Sequence, residues 1–122
     1  MVGAKMPHRL LVLFAGLFGA CGVGLAAAAA HVSGGANLLA PASAIALAHA
    51  PSVLGLYLAV KHLKTALAAA WIISVGVLLF CGDLVVRQWT GHSLFPMAAP
   101  SGGICMMLGW IVVAAGAFLA SP

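Results

Sequence analysis

The sequence predicts an all-α integral membrane protein, a four-helix bundle whose helices cross the bilayer up, down, up and down. Hydrophobic residues make up 65% of the 122 residues, and charged residues only 5%. A soluble domain carries about 25% charged residues, so this chain could not cover a water-facing surface. Four apolar segments are separated by short polar turns, and each is close to the roughly 20 residues that a membrane-spanning helix needs. We therefore expect one membrane domain over residues 1–122.

The first segment, residues 10–30, follows a basic start with Lys5 and Arg9. Its apolar run is longer than the roughly 7–15 residues of a signal-peptide core, which favours a span over a cleaved leader. Gly16, Ala20 and Gly24 recur every four residues, so they share one face of the helix. Such small-residue faces let helices approach closely in lipid, and we expect this face to pack against another helix.

The second segment, residues 38–60, follows a polar turn at residues 31–37 and contains two prolines, Pro41 and Pro51. Pro51 lies in the middle of the segment, where it removes one backbone hydrogen bond and should kink the helix. The third segment, residues 65–86, follows a short basic turn.

The fourth segment, residues 100–120, follows the longest connection, residues 87–99. Its first residue is Pro100, which a first helical turn accommodates because the missing N–H has no partner there. Trp89 suits the interfacial aromatic belt. Glycines of the third and fourth segments are expected to serve helix packing: Gly76, Gly82, Gly102, Gly103, Gly109 and Gly116.

The basic residues predict the orientation. With four spans, Lys5, Arg9, Lys61 and Lys64 fall on one side of the membrane and only Arg87 on the other. Because cytoplasmic loops carry the excess of Lys and Arg, both termini are expected in the cytoplasm of a bacterium, or in the matrix for a mitochondrial homologue. The expected location is the bacterial inner membrane.

Asp83 is the only carboxylate side chain in the sequence, and it lies near the outer end of the third segment. Three interpretations stay open. An ion pair with Arg87, four residues on, would satisfy both groups on one helix face. A contact with His31 or with backbone N–H groups of a loop would lock the outer end of the bundle. A proton or ligand site is the third, since ionisable groups within membranes are candidates for function.

His49 is the twelfth residue of its segment, which places it near the bilayer midplane. A neutral imidazole there needs both a donor and an acceptor partner. A hydrogen bond to a carbonyl of a neighbouring helix is one interpretation. Ligation of haem or a metal is another, and contact with a quinone or a lipid headgroup is the third. The three cysteines show no CxxC spacing and are interpreted as small packing residues: Cys21, Cys81 and Cys105.

The sequence contains no motif for phosphate binding, and one acid cannot form a catalytic carboxylate pair. We therefore expect no enzyme activity, no catalytic residue, no metal, no cofactor and no nucleic-acid partner.

The second half of the chain resembles a known family. Residues 76–84, Gly-Val-Leu-Leu-Phe-Cys-Gly-Asp-Leu, are similar to a Gly-x-x-Leu-Phe-Ser-Gly-Ser-Leu stretch in the small four-span proteins of domain of unknown function 423 (YgdD-like). Residues 99–103, followed by Gly109, Trp110 and Gly116, resemble that family's Thr-Pro-x-Gly-Gly, Gly-Trp and Gly pattern. His31 and His49 stand where the family has histidines. The resemblance implies a four-span fold and brings no established activity.

The chain departs from the family pattern in the first helix, where residues 25–30 lack the family's glycines and aromatic, and at positions in the second and third segments. The acid and the Tyr that usually precede the second His are Ala44 and Ile45 here, and Asp83 stands in place of a Ser. A site built from that acid and Tyr would be missing from this chain.

The leading functional hypothesis is a non-catalytic membrane protein that packs, as an accessory component, against a membrane protein partner or further copies of itself. A small transporter or channel is the first alternative. A quinone- or haem-contacting module that uses His49 and His31 is the second.

Overall fold

A computed structural model describes residues 6–120 and contains four long helices. They are α1 (Met6–His31), α2 (Gly35–Leu58), α3 (Ala66–Thr90) and α4 (Ala98–Ala115), and a short 3-10 turn (Gly116–Phe118) follows α4. All four are long and apolar enough to cross a membrane. The predicted all-α fold of four spanning helices is confirmed, and the protein is an integral membrane protein. Lys5, which the predicted orientation uses, lies outside the described residues.

Left-handed backbone at two glycines sets helix ends. Gly34 (φ 76°) precedes α2, and Gly91 (φ 77°) terminates α3. Glycine adopts this conformation without the steric cost of a Cβ. Because nothing breaks the helix before Gly91, α3 continues to Thr90, beyond the expected end at residue 86. Arg87 and Trp89 therefore lie on a helix and not in the connection.

The helices pack in chain order. α2 and α3 form the central pair, α1 packs along α2, and α4 packs along α3. The main core fills the space between α1, α2 and α3, with Leu11, Val53 and Ile73 fully buried. Only 22% of the spanning window of α1 and of α4 is buried, against 44% for α3. The two flanking helices thus leave most of their surface outside the chain's own core.

One short polar side chain joins each pair of neighbouring helices. Ser43 on α2 donates to the Gly22 carbonyl of α1 at 2.6 Å. Cys81 on α3 donates to the Ala42 carbonyl of α2, and Cys105 on α4 donates to the Ile72 carbonyl of α3, both at 3.2 Å. A thiol is a small apolar group with a weak donor, so Cys81 and Cys105 serve packing and pairing together. Cys21 is exposed on α1.

Candidate functional site

His49 lies buried in the middle of the bundle with both ring nitrogens occupied. Its Nδ1 is 2.8 Å from the Ile45 carbonyl of its own helix. Its Nε2 is 3.0 Å from Nε1 of Trp110 on α4. The interpretation that His49 bonds a carbonyl of a neighbouring helix is wrong about the helix, because the carbonyl lies one turn back on α2 itself. The partner on another helix is an indole.

These two partners define the protonation pattern of the ring. A carbonyl can only accept, so Nδ1 carries the proton; an indole N–H can only donate, so Nε2 accepts. The arrangement fits the neutral Nδ1–H tautomer, and neither nitrogen has a lone pair free for a metal. Among residues 6–120, no cluster of three or more His, Cys, Asp or Glu side chains could hold a metal ion.

Ser74 lies at the same depth as His49 on the neighbouring helix. The antiparallel pairing of α2 with α3, seen where Cys81 meets Ala42, puts residue 74 level with residue 49. The Ser74 side chain is fully buried, and its hydroxyl has no hydrogen-bond partner among the described residues. His49 and Ser74 are thus buried polar side chains at one depth of the bundle, and the partly exposed Trp110 bonds to His49.

Asp83 is fully buried in the C-terminal third of α3 and has two partners. Its Oδ1 accepts the Leu94 backbone N–H at 2.8 Å. Its Oδ2 lies 3.2 Å from Nε of Arg87, an ion pair without an aligned hydrogen bond. Two of the predicted interpretations therefore hold together, the pair with Arg87 and the contact with a loop N–H. His31 is exposed at the end of α1.

The bond to Leu94 fixes how the chain connects α3 to α4. Asp83 lies seven residues before the end of α3, about 10 Å along the helix. The connection at residues 91–97 must therefore fold back along α3 for Leu94 to reach the carboxylate. It ends at Met97, a non-glycine residue with positive φ (68°), where α4 begins. The carboxylate anchors the loop that sets the start of α4.

Large apolar side chains and one cation are exposed at this end of the bundle. The side chain of Arg87 is 39% exposed. Trp89, Leu94, Phe95 and Met97 also reach the surface. Gln88 donates to the Ser33 carbonyl at 3.3 Å and so joins the end of α3 to the α1–α2 turn.

The predicted packing glycines fall into two groups. A Cβ on Gly102 would lie 2.5 Å from the Phe80 nitrogen and 2.7 Å from the Gly76 carbonyl oxygen, so α3 and α4 meet backbone to backbone there. Gly76, Gly109 and Gly116 are equally tight, and Gly82 makes an ordinary contact with Leu94. Open space surrounds the Cβ positions of Gly16, Gly24 and Gly103, and Ala20 is exposed.

The outward position of Gly16, Ala20 and Gly24 means that this chain's own helices do not use that face of α1. The face toward α2 is built instead on Gly22, where a Cβ would lie 2.7 Å from Leu47 Cγ.

An apolar groove of about 410 Å³ separates α1 from α3. Ala46 of α2 forms its floor, and its walls include Phe18 and Cys21 of α1 and Val77 of α3. A T-shaped contact between Phe14 and Trp71, with ring centroids 5.7 Å apart, joins the two helices in their N-terminal halves. The groove is open to the side, where lipid would lie.

Sequence reasoning missed Trp110, Ser74 and the groove. Trp110 carried a usable signal, because a tryptophan in the middle of a span departs from the usual interfacial position. Since an indole N–H away from water needs an acceptor, His49 at similar depth is the natural candidate. The groove carried no such signal, because it depends on the angle between α1 and α3.

Two comparisons bear on identity. A family model described as Protein of unknown function (DUF423) matches residues 15–103 of this chain. The match includes His31, His49, Asp83 and Arg87, and it ends before Trp110. No solved structure matches the chain. Since the family model covers well over half of the sequence, the chain belongs to the DUF423 family, as its resemblance to that family had predicted.

Proposed function

We propose that this protein is a non-catalytic component of a membrane assembly, which it joins by packing the outer face of α1 against a partner helix. The partner is a different membrane protein or a second copy of this chain. The observation that carries the proposal is the unused small-residue face of α1, formed by Gly16, Ala20 and Gly24, with open space beside both glycines.

Small-residue faces suit helix association in lipid. Lipid tails are as apolar as leucine, so helices associate through close packing, and glycine and alanine permit the closest approach. The same device operates inside this chain, where Gly76 and Gly102 bring α3 and α4 into backbone contact. Only 22% of the α1 window is buried, so the helix has surface available for a partner.

The satisfied polar groups support a non-catalytic role. His49 has its donor and its acceptor, and Asp83 has an N–H and a guanidinium. A general base needs a free acceptor within reach of a substrate proton. His49 offers none in this arrangement, and the Oδ2 of Asp83, which lacks a hydrogen bond, is buried and ion-paired with Arg87.

We also propose the bacterial inner membrane as the location, with both termini in the cytoplasm. Support comes from the basic residues, since Arg9, Lys61 and Lys64 lie at the end of the bundle opposite Arg87. Reporter fusions at each terminus test this orientation, and periplasmic reporter activity at either terminus would contradict it.

Purification from native membranes tests the assembly. The protein is extracted in mild detergent after crosslinking through a cysteine placed at Ala20, and the crosslinked species are identified by mass spectrometry. Both this variant and its control carry Cys21→Ala, because the native Cys21 is exposed beside Ala20. We expect a defined crosslinked product, either a second copy or one recurrent membrane protein. Ala68→Cys, an exposed alanine on α3, is the matched control. Equal and unspecific labelling at both positions would contradict the proposal.

A small transporter is the first alternative, and a flux assay separates it from the proposal. Transporters place ionisable groups along the substrate path. Here Asp83 is buried between Arg87 and Leu94, away from the middle of its helix. We expect no flux of cationic dyes through proteoliposomes. Flux that disappears in Asp83→Asn would favour the transporter.

The groove between α1 and α3 supports the other alternative, a site for an apolar ligand such as a quinone. The groove has room for an apolar chain, whereas His49 is already bonded to Trp110. Organic extraction of the purified protein should release no stoichiometric quinone, and its absorbance spectrum should show no haem band. Stoichiometric quinone in the extract, or a haem band in the spectrum, would favour the quinone- or haem-contacting module.

A further inference from the structure

The turn between α2 and α3, residues 59–65, presents a fixed group of basic side chains. Lys61, His62 and Lys64 are exposed, while Leu63 between them is half-buried and packs against the main core. The backbone is held by bonds from the N–H groups of His62 and Leu63 to the Ala59 carbonyl, at 2.8 and 2.9 Å. The turn therefore presents its basic side chains on the exposed surface of an anchored loop.

Leu63 is anchored by the end of the chain's last helix. The side chains of Leu63 and Thr65 occupy the space where a Cβ on Gly116 would lie. This contact fixes the turn relative to α4, so the two lysines face away from the bundle.

The cations of this turn have no acidic side chain near them. The chain contains five Lys and Arg residues and one Asp or Glu. That one acid, Asp83, lies toward the other end of α3 and is paired with Arg87. Lys61 and Lys64 are therefore left without a counter-charge from the side chains of this chain and are open to an anion from outside.

A third cation lies at the same end of the bundle. α1 and α2 are antiparallel, with Gly19 facing Ala50. Arg9, ten residues before Gly19, is therefore level with the end of α2, close to where the turn begins. Arg9 is exposed as well.

The start of α3 adds to the positive field. The first N–H groups of a helix have no intrahelical partner, and the helix dipole places partial positive charge there. α3 is 25 residues long, has no acidic residue in its first turn, and Thr65 makes no side-chain cap. An anion beside the turn would be attracted by the lysines and by this helix end together.

We infer that this basic turn binds the phosphate of an anionic phospholipid, drawn from the leaflet that this end of the bundle faces. Charge complementarity selects the occupant, because the turn carries only positive charge and lies where a spanning helix meets the headgroup layer. Leu58, immediately before the turn, is 65% exposed and would contact the acyl chains. Lysine stems extend along such apolar surface and place their ammonium groups at headgroup depth. This inference stands independently of the proposed assembly.

Spin-labelled lipids measure the inference directly. The full-length protein is reconstituted in vesicles of equimolar phosphatidylcholine and phosphatidylglycerol. Electron paramagnetic resonance then gives the preference of the protein boundary for spin-labelled phosphatidylglycerol over phosphatidylcholine. We expect a clear preference in the wild type, and we expect Lys61→Gln/Lys64→Gln to lower it about fivefold or more.

Two controls separate charge from folding and lipid from free anion. Lys61→Arg/Lys64→Arg keeps the charge and should keep the preference, while circular dichroism verifies helix content in both double variants. Inorganic phosphate should displace no more of the spin-labelled phosphatidylglycerol than chloride does at the same ionic strength. An unchanged preference in the glutamine variant would overturn the inference. Specific displacement by inorganic phosphate would overturn it too, since the site would then serve a soluble anion.

Discussion

At the scale of single residues, polar side chains of this bundle connect its helices and one loop by hydrogen bonds. His49 joins α2 to α4 through Trp110, Ser43 joins α2 to α1, and Asp83 joins α3 to the loop before α4. In hydrocarbon an unpaired polar group is costly, so each of these side chains favours one arrangement of the helices over others. Their common role is to specify the packing.

The Trp110–His49 bond predicts the effect of one substitution. Trp110→Phe keeps an aromatic ring of similar shape and removes the N–H, which leaves Nε2 of His49 without its donor. We expect a loss of roughly 0.6–1.7 kcal/mol in the free energy of unfolding, the range for hydrogen bonds between membrane helices. Unfolding in mixed micelles measures it. Trp89→Phe, at an exposed tryptophan, is the control, and an equal loss in both variants would contradict the pairing.

The two partners of Asp83 predict an order among its substitutions. Asp83→Asn keeps an oxygen that can accept the Leu94 N–H and loses the charge, whereas Asp83→Ala loses both partners. We expect Asp83→Ala to cost about 1.5–3 kcal/mol of unfolding free energy, the range for a hydrogen bond to a charged group, and Asp83→Asn to cost less. Arg87→Gln should cost about 1 kcal/mol, because the guanidinium is partly exposed and solvent screens the pair.

Thermal unfolding in detergent of the three variants gives this order. An equal loss for Asp83→Asn and Asp83→Ala would mean that the negative charge, which both variants lack, carries the stabilisation and that the bond to Leu94 adds nothing.

At the scale of the helices, close approach of α3 and α4 depends on glycine at the contact. Gly102 opposes the backbone of Phe80 and Gly76, whereas neighbouring Gly103 has open space. Backbone atoms cannot move aside as a flexible side chain does, so any added Cβ at residue 102 must push the helices apart. Adjacent glycines on one helix thus have opposite roles.

This pair supplies a matched test. Gly102→Ala should destabilise the protein by about 1–3 kcal/mol through overpacking. Gly103→Ala should be neutral or stabilising by up to about 1 kcal/mol, because alanine is the better helix former. Chemical denaturation in micelles measures both variants, and equal effects would contradict the described contact between α3 and α4.

Local signals in the sequence were enough to predict the four helices, but not their pairing. Length and apolar composition locate each helix, and the deviation at the end of α3 arises because Gly91, not Arg87, stops it. The pairing of Asp83 with Arg87 could be predicted because the residues are one turn apart. The bonds from His49 to Trp110 and from Asp83 to Leu94 depend on helix register and loop path, which a single sequence does not encode locally.

At the scale of the whole molecule, the bundle has an interior pair of helices and two flanking helices that are mostly uncovered. The small-residue face of α1 points outward, although the chain uses similar faces for its own packing between α3 and α4. Inside the bundle, His49 is bonded to Trp110 and to a backbone carbonyl, and Asp83 is held by the Leu94 N–H and by Arg87. These features together support the proposed role in packing against a partner helix.

The most direct test of the proposed assembly is the mass of the species that contains this protein in mild detergent. Native mass spectrometry in mild detergent should show wild-type protein in a species heavier than the 12.2 kDa single chain. Gly16→Leu/Gly24→Leu should remain folded and shift to the single-chain mass, because leucines would block close approach. Gly55→Leu, at an exposed glycine of α2 with open space around it, should leave the complex intact. A wild-type protein that is strictly a single chain, or an α1 variant that keeps the full complex, would contradict the account.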